Sequence, residues 1–177
     1  MCRIGREREQ TGRGERGFSL IEVLIANVIL AVGLLAIAAM QDIALSRNVD
    51  AKRMGLATSL ATEIIERIRF NSPANSTASA GAYPYNFSVT CTTTTCTGVP
   101  PPATADATTQ SDYILWRDRL GTPDSSGKLP LASAGGTVTS AATGPAALGQ
   151  VLVTVTVSWN TGLRQPTLTM NTVVAPL

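Results

Sequence analysis

The stretch "RGFSLIEVLIANVILAVGLLAIAAMQ", which starts at Arg16, restricts what this 177-residue chain can become more than any other. It is apolar across residues 18–40 apart from one charged side chain, Glu22, near its start. As a helix rising about 1.5 Å per residue it reaches roughly 34 Å, enough to cross a bilayer. A carboxylate inside such a span is costly, so it is usually retained for a partner or a function. The first 17 residues carry five Arg and three Glu. That basic excess favours a cytoplasmic N-terminus with the body on the far side of the membrane.

An ordinary secretory signal has an apolar region of about 7–15 residues and no acid. Here the run is longer and contains Glu22, although "AIAAMQ" imitates a small-residue cleavage site. A plain single-span anchor fits the length, but leaves Glu22 with no role beyond snorkelling to the interface. A finer pattern gives a third reading. A charged leader ends in Gly17, Phe18 follows, and Glu22 is the fifth residue after the glycine, with an uninterrupted apolar helix beyond.

This pattern resembles the class III signal of type IV prepilins and pseudopilins. The resemblance implies that a membrane prepilin peptidase cuts between Gly17 and Phe18 on the cytoplasmic side and methylates the new amine. It also implies that residues 18–40 become the packing core of a filament. The chemistry is coherent. Gly17 presents no side chain where a protease must approach the backbone. The cationic amine left at Phe18 needs a counter-charge, which Glu22 can supply one turn along its own helix or to a neighbouring subunit. The resemblance implies the inter-subunit version, with Glu22 setting the axial register of incoming subunits.

No proline lies between Phe18 and Ser72, so the helix is expected to continue to "NSP" at 71–73. Leu45, Val49, Leu56, Leu60, Ile64 and Ile68, broadened by Ala57, Ala61 and Ile65, form an amphipathic stripe with one buried face. Glu63 with Arg67, and Asp50 with Arg53, are spaced as ion pairs on a solvated opposite face. The expected organisation is a leader at 1–17, a membrane or filament-core helix at 18–40, its amphipathic continuation at 41–71, and a small β-rich head at 72–177. The fold class is α+β and pilin-like, a long helix packed on a small antiparallel sheet.

Residues 72–111 are rich in Thr, Ala, Ser and Pro and read mostly as loop, with "YNFSVTC" as a short strand. Cys91 and Cys96 remain if a leader containing Cys2 is removed, and outside the cytoplasm such a pair is expected to form a disulfide. "SDYILWRDRL" at 111–120 reads as a short helix capped by Ser111, with Leu115, Trp116 and Leu120 inward. "GQVLVTVTVSWN" is the clearest strand, its odd-numbered valines and Trp159 on one face. "NTG" turns the chain into "PTLTMNTVV", which alternates the same way and completes a hairpin facing the long helix. Trp116 and Trp159 read as core anchors.

The cysteine pair, "D-Y-x-x-W" at Asp112 to Trp116, "LP" at 129–130 and "V-x-V-S-W" ending at Trp159 resemble PilV-type minor pilins. That resemblance implies a structural subunit which primes or joins type IV pili together with other minor pilins and the major pilin. Twitching motility, adhesion and DNA uptake are the implied processes, and the implied route runs from inner membrane to cell surface. A minor pseudopilin of a type II secretion system shares the N-terminal signal, and a membrane-anchored surface binding module is the rival of a different class. There is no histidine, which removes Ser-His-Asp and Cys-His systems and His-ligated metal. No catalytic residue, metal site or cofactor is expected. Outside the first 17 residues basic and acidic side chains are equal in number, so no nucleic-acid face is expected on the body.

Overall fold

A computed structural model describes residues 17–71, 84–92, 95–145, 148–162 and 164–175. Residues 1–16, expected as leader and containing Cys2, and residues 72–83, expected as loop, lie outside the described residues. The elements in order are α1 (Leu20–Asn71), β1 (Phe87–Cys91), β2 (Cys96–Val99), α2 (Ala107–Gly121), β3 (Gly135–Ala142), β4 (Val151–Ser158) and β5 (Thr167–Val174). The chain divides into two units after Arg47.

In the first unit the described residues are the start of α1 and the three residues before it. Ser19 opens the helix, its carbonyl accepting from the Glu22 and Val23 amides at 3.0 and 3.4 Å. With no proline to break it, α1 ends at Asn71, just before the Ser72-Pro73 pair that the sequence marks as a stop. Its N-terminal side chains are all exposed, and α1 contains a segment long and apolar enough to cross a membrane.

The second unit is a helix-on-sheet sandwich. The five strands form one antiparallel sheet in the order β2-β1-β3-β4-β5. Its inner face, led by Val89, Val138, Val153, Val155 and Val157, packs with one stripe of α1 and one of α2. From α1 the core takes Ala57, Leu60, Ala61, Ile64, Ile65 and Ile68. The stripe is therefore shorter than expected. Leu45 and Val49 are exposed and Leu56 is only half-buried, so apolar spacing runs on where no buried surface faces it.

The head departs from the sequence reading in three further places. β2 falls in the stretch expected as loop, and the long central strand β3 has no counterpart among the expected elements. In β3, Thr137 and Val138 alternate outward and inward, but flanking Gly, Ser and Ala dilute the signal. The second helix starts four residues earlier than expected and is capped by Asp106, not Ser111. The Asp106 carboxylate accepts from the Thr109 amide at 3.0 Å. Its inner face is Thr109, Asp112, Tyr113, Trp116 and Leu120, while Leu115 points to solvent.

Trp116 is fully buried between the layers, its indole N–H donating to the Leu60 carbonyl of α1 at 2.9 Å. Phe87 packs edge-on against it at 5.8 Å and against Tyr113 at 5.4 Å. The indole lies over Gly136 of β3, where a Cβ would collide with the ring and lie 2.9 Å from the Leu120 methyl. A bare backbone at this one position lets a large side chain settle on the middle of the sheet. Trp159 closes the lower end of the same core and is 3% exposed.

Candidate functional site

The first candidate site is the start of α1. Among the described residues no atom lies within 4 Å of where a side chain on Gly17 would stand. Phe18 is 78% exposed beside it. Glu22 is the acid of the helix's first turn, where unsatisfied amides and the helix dipole favour negative charge. It lies four residues after Phe18, which precedes the first residue of α1. From Leu20 through Met40 no other ionisable side chain occurs, and every residue is exposed.

A soluble domain rarely displays so much continuous apolar surface, and a helix that is apolar all round is normally buried in protein or lipid. What this segment offers chemically is therefore a covering environment with one carboxylate inside it. Gathered at this end are an exposed Phe18 after Gly17, an acid four residues later, and an unbroken apolar helical segment.

The head holds two further features. Cys91 and Cys96 face each other across the β1–β2 hairpin and are disulfide-bonded, with Cα atoms 4.0 Å apart. The bond sits under the end of α2, where a Cβ on Gly121 would strike the Cys96 sulfur. The second feature is a polar network that the sequence reading did not assemble. Asp112 of α2 is 4% exposed and accepts from the Tyr85 hydroxyl at 2.8 Å and the Asn71 amide at 2.6 Å. Its other oxygen meets Arg67 at 3.3 Å. Arg67 also binds Glu63 at 3.1 Å, and Glu63 binds Arg119 at 3.1 Å.

Glu63 and Arg67, expected as a solvated surface pair, are thus part of a semi-buried junction between the two helices. Tyr85, the residue that leads into β1, is locked onto it. Burial pushes the Tyr85 phenol up, and the carboxylate it donates to adds to the rise. The available signal was the "D-Y-x-x-W" spacing: a residue four before Trp116 shares its buried face.

The other carboxylates on which an enzyme reading could draw are occupied structurally. Asp106 caps α2, Asp118 pairs with Arg117, and Asp124 holds the following turn through Ser126 and Lys128. Among the described residues no group of three His, Cys, Asp or Glu is arranged to hold a metal.

Comparison with known proteins finds one family model, the prokaryotic N-terminal methylation motif, matching residues 12–38. No curated protein and no solved structure matches the chain. The match covers the segment in which Gly17, Phe18 and Glu22 lie, and it supports a substrate of the type IV pilin or pseudopilin kind.

Proposed function

We propose that this chain is a minor pilin, a structural subunit that primes or enters a type IV pilus after losing its leader between Gly17 and Phe18. The observation that carries this reading is the coincidence of the methylation motif with an exposed apolar segment, residues 20–40 of α1, that contains a single acid. In this reading residues 1–17 are the leader, 18–40 the membrane and then filament-core segment, 41–71 its continuation, and 72–177 the head. The prepilin peptidase is the first partner, and other minor pilins and the major pilin are the later ones.

The mechanism is physical. Before cleavage the apolar segment is solvated by lipid tails, with the leader charges holding its end at the cytoplasmic face. Cleavage replaces those charges by one amine on Phe18. Moving the helix from lipid into a bundle of similar helices keeps its surface dry, and the Phe18 amine and Glu22 carboxylate then neutralise one another between subunits. An unpaired charge in that setting is strongly unfavourable, so the pairing selects one axial register. Each subunit meets the next head-to-tail, a heterologous geometry that extends as an open helix.

Mass spectrometry of sheared surface filaments tests this directly. A peptide beginning at methylated Phe18 is expected in the filament fraction. Its confinement to membranes would favour a pseudopilin of a secretion system, and an intact leader in every fraction would overturn the proposal in favour of a plain anchor.

A further inference from the structure

Apart from Ser19 at its edge, the apolar run 18–40 holds one uncharged polar side chain, Asn27. It stands two residues before the midpoint of the run, within about 3 Å of its middle along the helix axis. The side chain is exposed and makes no hydrogen bond among the described residues. A carboxamide carries two N–H donors and a carbonyl acceptor. A donor can bond back to a carbonyl of the preceding turn, but the acceptor meets no free N–H inside a helix. Lipid tails supply none either, so Asn27 needs a polar group from another helix.

The residues around Asn27 form a seam along α1. Leu20 and Leu24 precede it and Ala31, Leu34, Ala38 and Gln41 follow, spaced alternately by four and three residues. Two parallel helices wind about each other along this spacing. Ala31 and Ala38 are small, which lets backbones approach closely where helices associate in lipid. Gln41 returns a second carboxamide to the seam 14 residues on, where the run has ended. Glu22 lies about 140° round the helix from Asn27, outside the seam.

We infer that α1 pairs in the membrane with a second copy of this chain, parallel and at equal depth, with the two Asn27 carboxamides hydrogen-bonded to each other across this seam. The occupant follows from the chemistry of the group. A carboxamide is its own complement, since the N–H of one reaches the C=O of the other and the reverse. Two copies inserted the same way place Asn27 at one depth, related by a two-fold axis along the membrane normal. The Gln41 side chains then face each other on the same seam. Glu22 of a second copy is five residues away along the axis, so it reaches Asn27 only after a shift of about 7.5 Å.

This pairing rests on the membrane-anchored reading above and concerns the chain before it enters a filament. Its register differs by four residues from the one that joins Glu22 to a neighbour's Phe18 amine. Filament entry therefore separates the pair, while Glu22 remains outside the seam and available to its own partner.

Sedimentation equilibrium of the purified full chain in a density-matched detergent tests the inference. A monomer–dimer equilibrium is expected, with Asn27→Leu raising Kd about tenfold, the effect of losing a hydrogen bond between helices in lipid. Asn27→Gln, which keeps the carboxamide, and Glu22→Gln, which lies off the seam, are expected to leave Kd within about twofold. Unchanged melting of the head checks that the variants fold. Oxidative cross-linking in native membranes reads the face. In a Cys2→Ser background, Ala31→Cys is expected to give a disulfide-linked species with twice the mass of the chain, and Ile29→Cys on the opposite face is not.

A monomer at every concentration would overturn the inference. So would a dimer whose Kd is the same in Asn27→Leu, or stronger cross-linking at Ile29→Cys than at Ala31→Cys. An Ala31→Cys adduct with a chain of different mass, in place of the doubled species, would assign the seam to another subunit and defeat the pairing as stated. The N-terminus is read from the same membranes: methylated Phe18 without the dimer defeats only the pairing. An intact leader with the dimer present defeats only the pilin reading.

Discussion

The two halves of α1 are one secondary structure under two different rules. Residues 20–40 are exposed on every side and apolar nearly throughout, whereas residues 41–71 are apolar on a single stripe, of which Ala57 to Ile68 is buried. Local propensity does not separate them, since both are rich in Leu, Ile and Ala. What differs is the surroundings each composition needs. A one-sided stripe is satisfied by a sheet, and an apolar cylinder by lipid or by other helices. The comparison teaches that the head buries only part of the second half, and that the first half keeps its apolar surface exposed.

Substitutions matched across the two halves break or sharpen that contrast. The largest loss is expected inside the head: Trp116→Ala, which empties the space over Gly136 and abandons the Leu60 carbonyl, is expected to cost about 3–5 kcal/mol. Ile64→Ala should cost about 2–5 kcal/mol, while Ile29→Ala leaves head stability unchanged. Denaturant melts of the full chain in detergent, followed by tryptophan fluorescence, measure all three. Equal effects of Ile64→Ala and Ile29→Ala would erase the distinction.

Next in size is the disulfide. Reduction, or Cys91→Ser with Cys96→Ser, should lower head stability by about 2 kcal/mol, because the closed loop is small. The same melts under reducing and oxidising conditions read the difference, and the β1–β2 hairpin should be the first segment to lose exchange protection.

Glu22→Gln acts only on the first half. It should leave leader cleavage and the head's melting untouched while lowering filament incorporation about tenfold, equivalent to roughly 1.4 kcal/mol. Quantitative immunoblots of sheared filaments against membranes measure it, and normal incorporation would remove the role given to Glu22.

The smallest effect is a pH response confined to the head. Tyr85 is buried against Asp112, so its folded phenol holds its proton to higher pH than the unfolded one. Stability from this group is thus complete below the ordinary phenol value of about 10 and falls as pH rises above it. Tyr85→Phe should remove that alkaline fall, read from melts at stepped pH. A fall of the same slope in the variant would assign it to other groups.

The sequence by itself determined the long helix and its stop at Asn71, the change of character along it, the N-terminal methylation motif, and the β4–β5 hairpin. Each of these is a short-range or strictly periodic signal, readable without knowing what lies opposite. Tertiary structure decided the rest. β3 carries its apolar side chains among glycines and hydroxyls, and becomes the central strand only because β1 and β4 flank it and Trp116 needs a bare backbone at Gly136. Where the α1 stripe stops being buried was likewise not written in its spacing, since Leu45 and Val49 obey the same period as Leu60 and Ile64. The junction of Asp112 with Tyr85, Asn71 and Arg67 joins residues up to 45 positions apart. Periodicity reports which face of an element is apolar; only packing reports what that face meets.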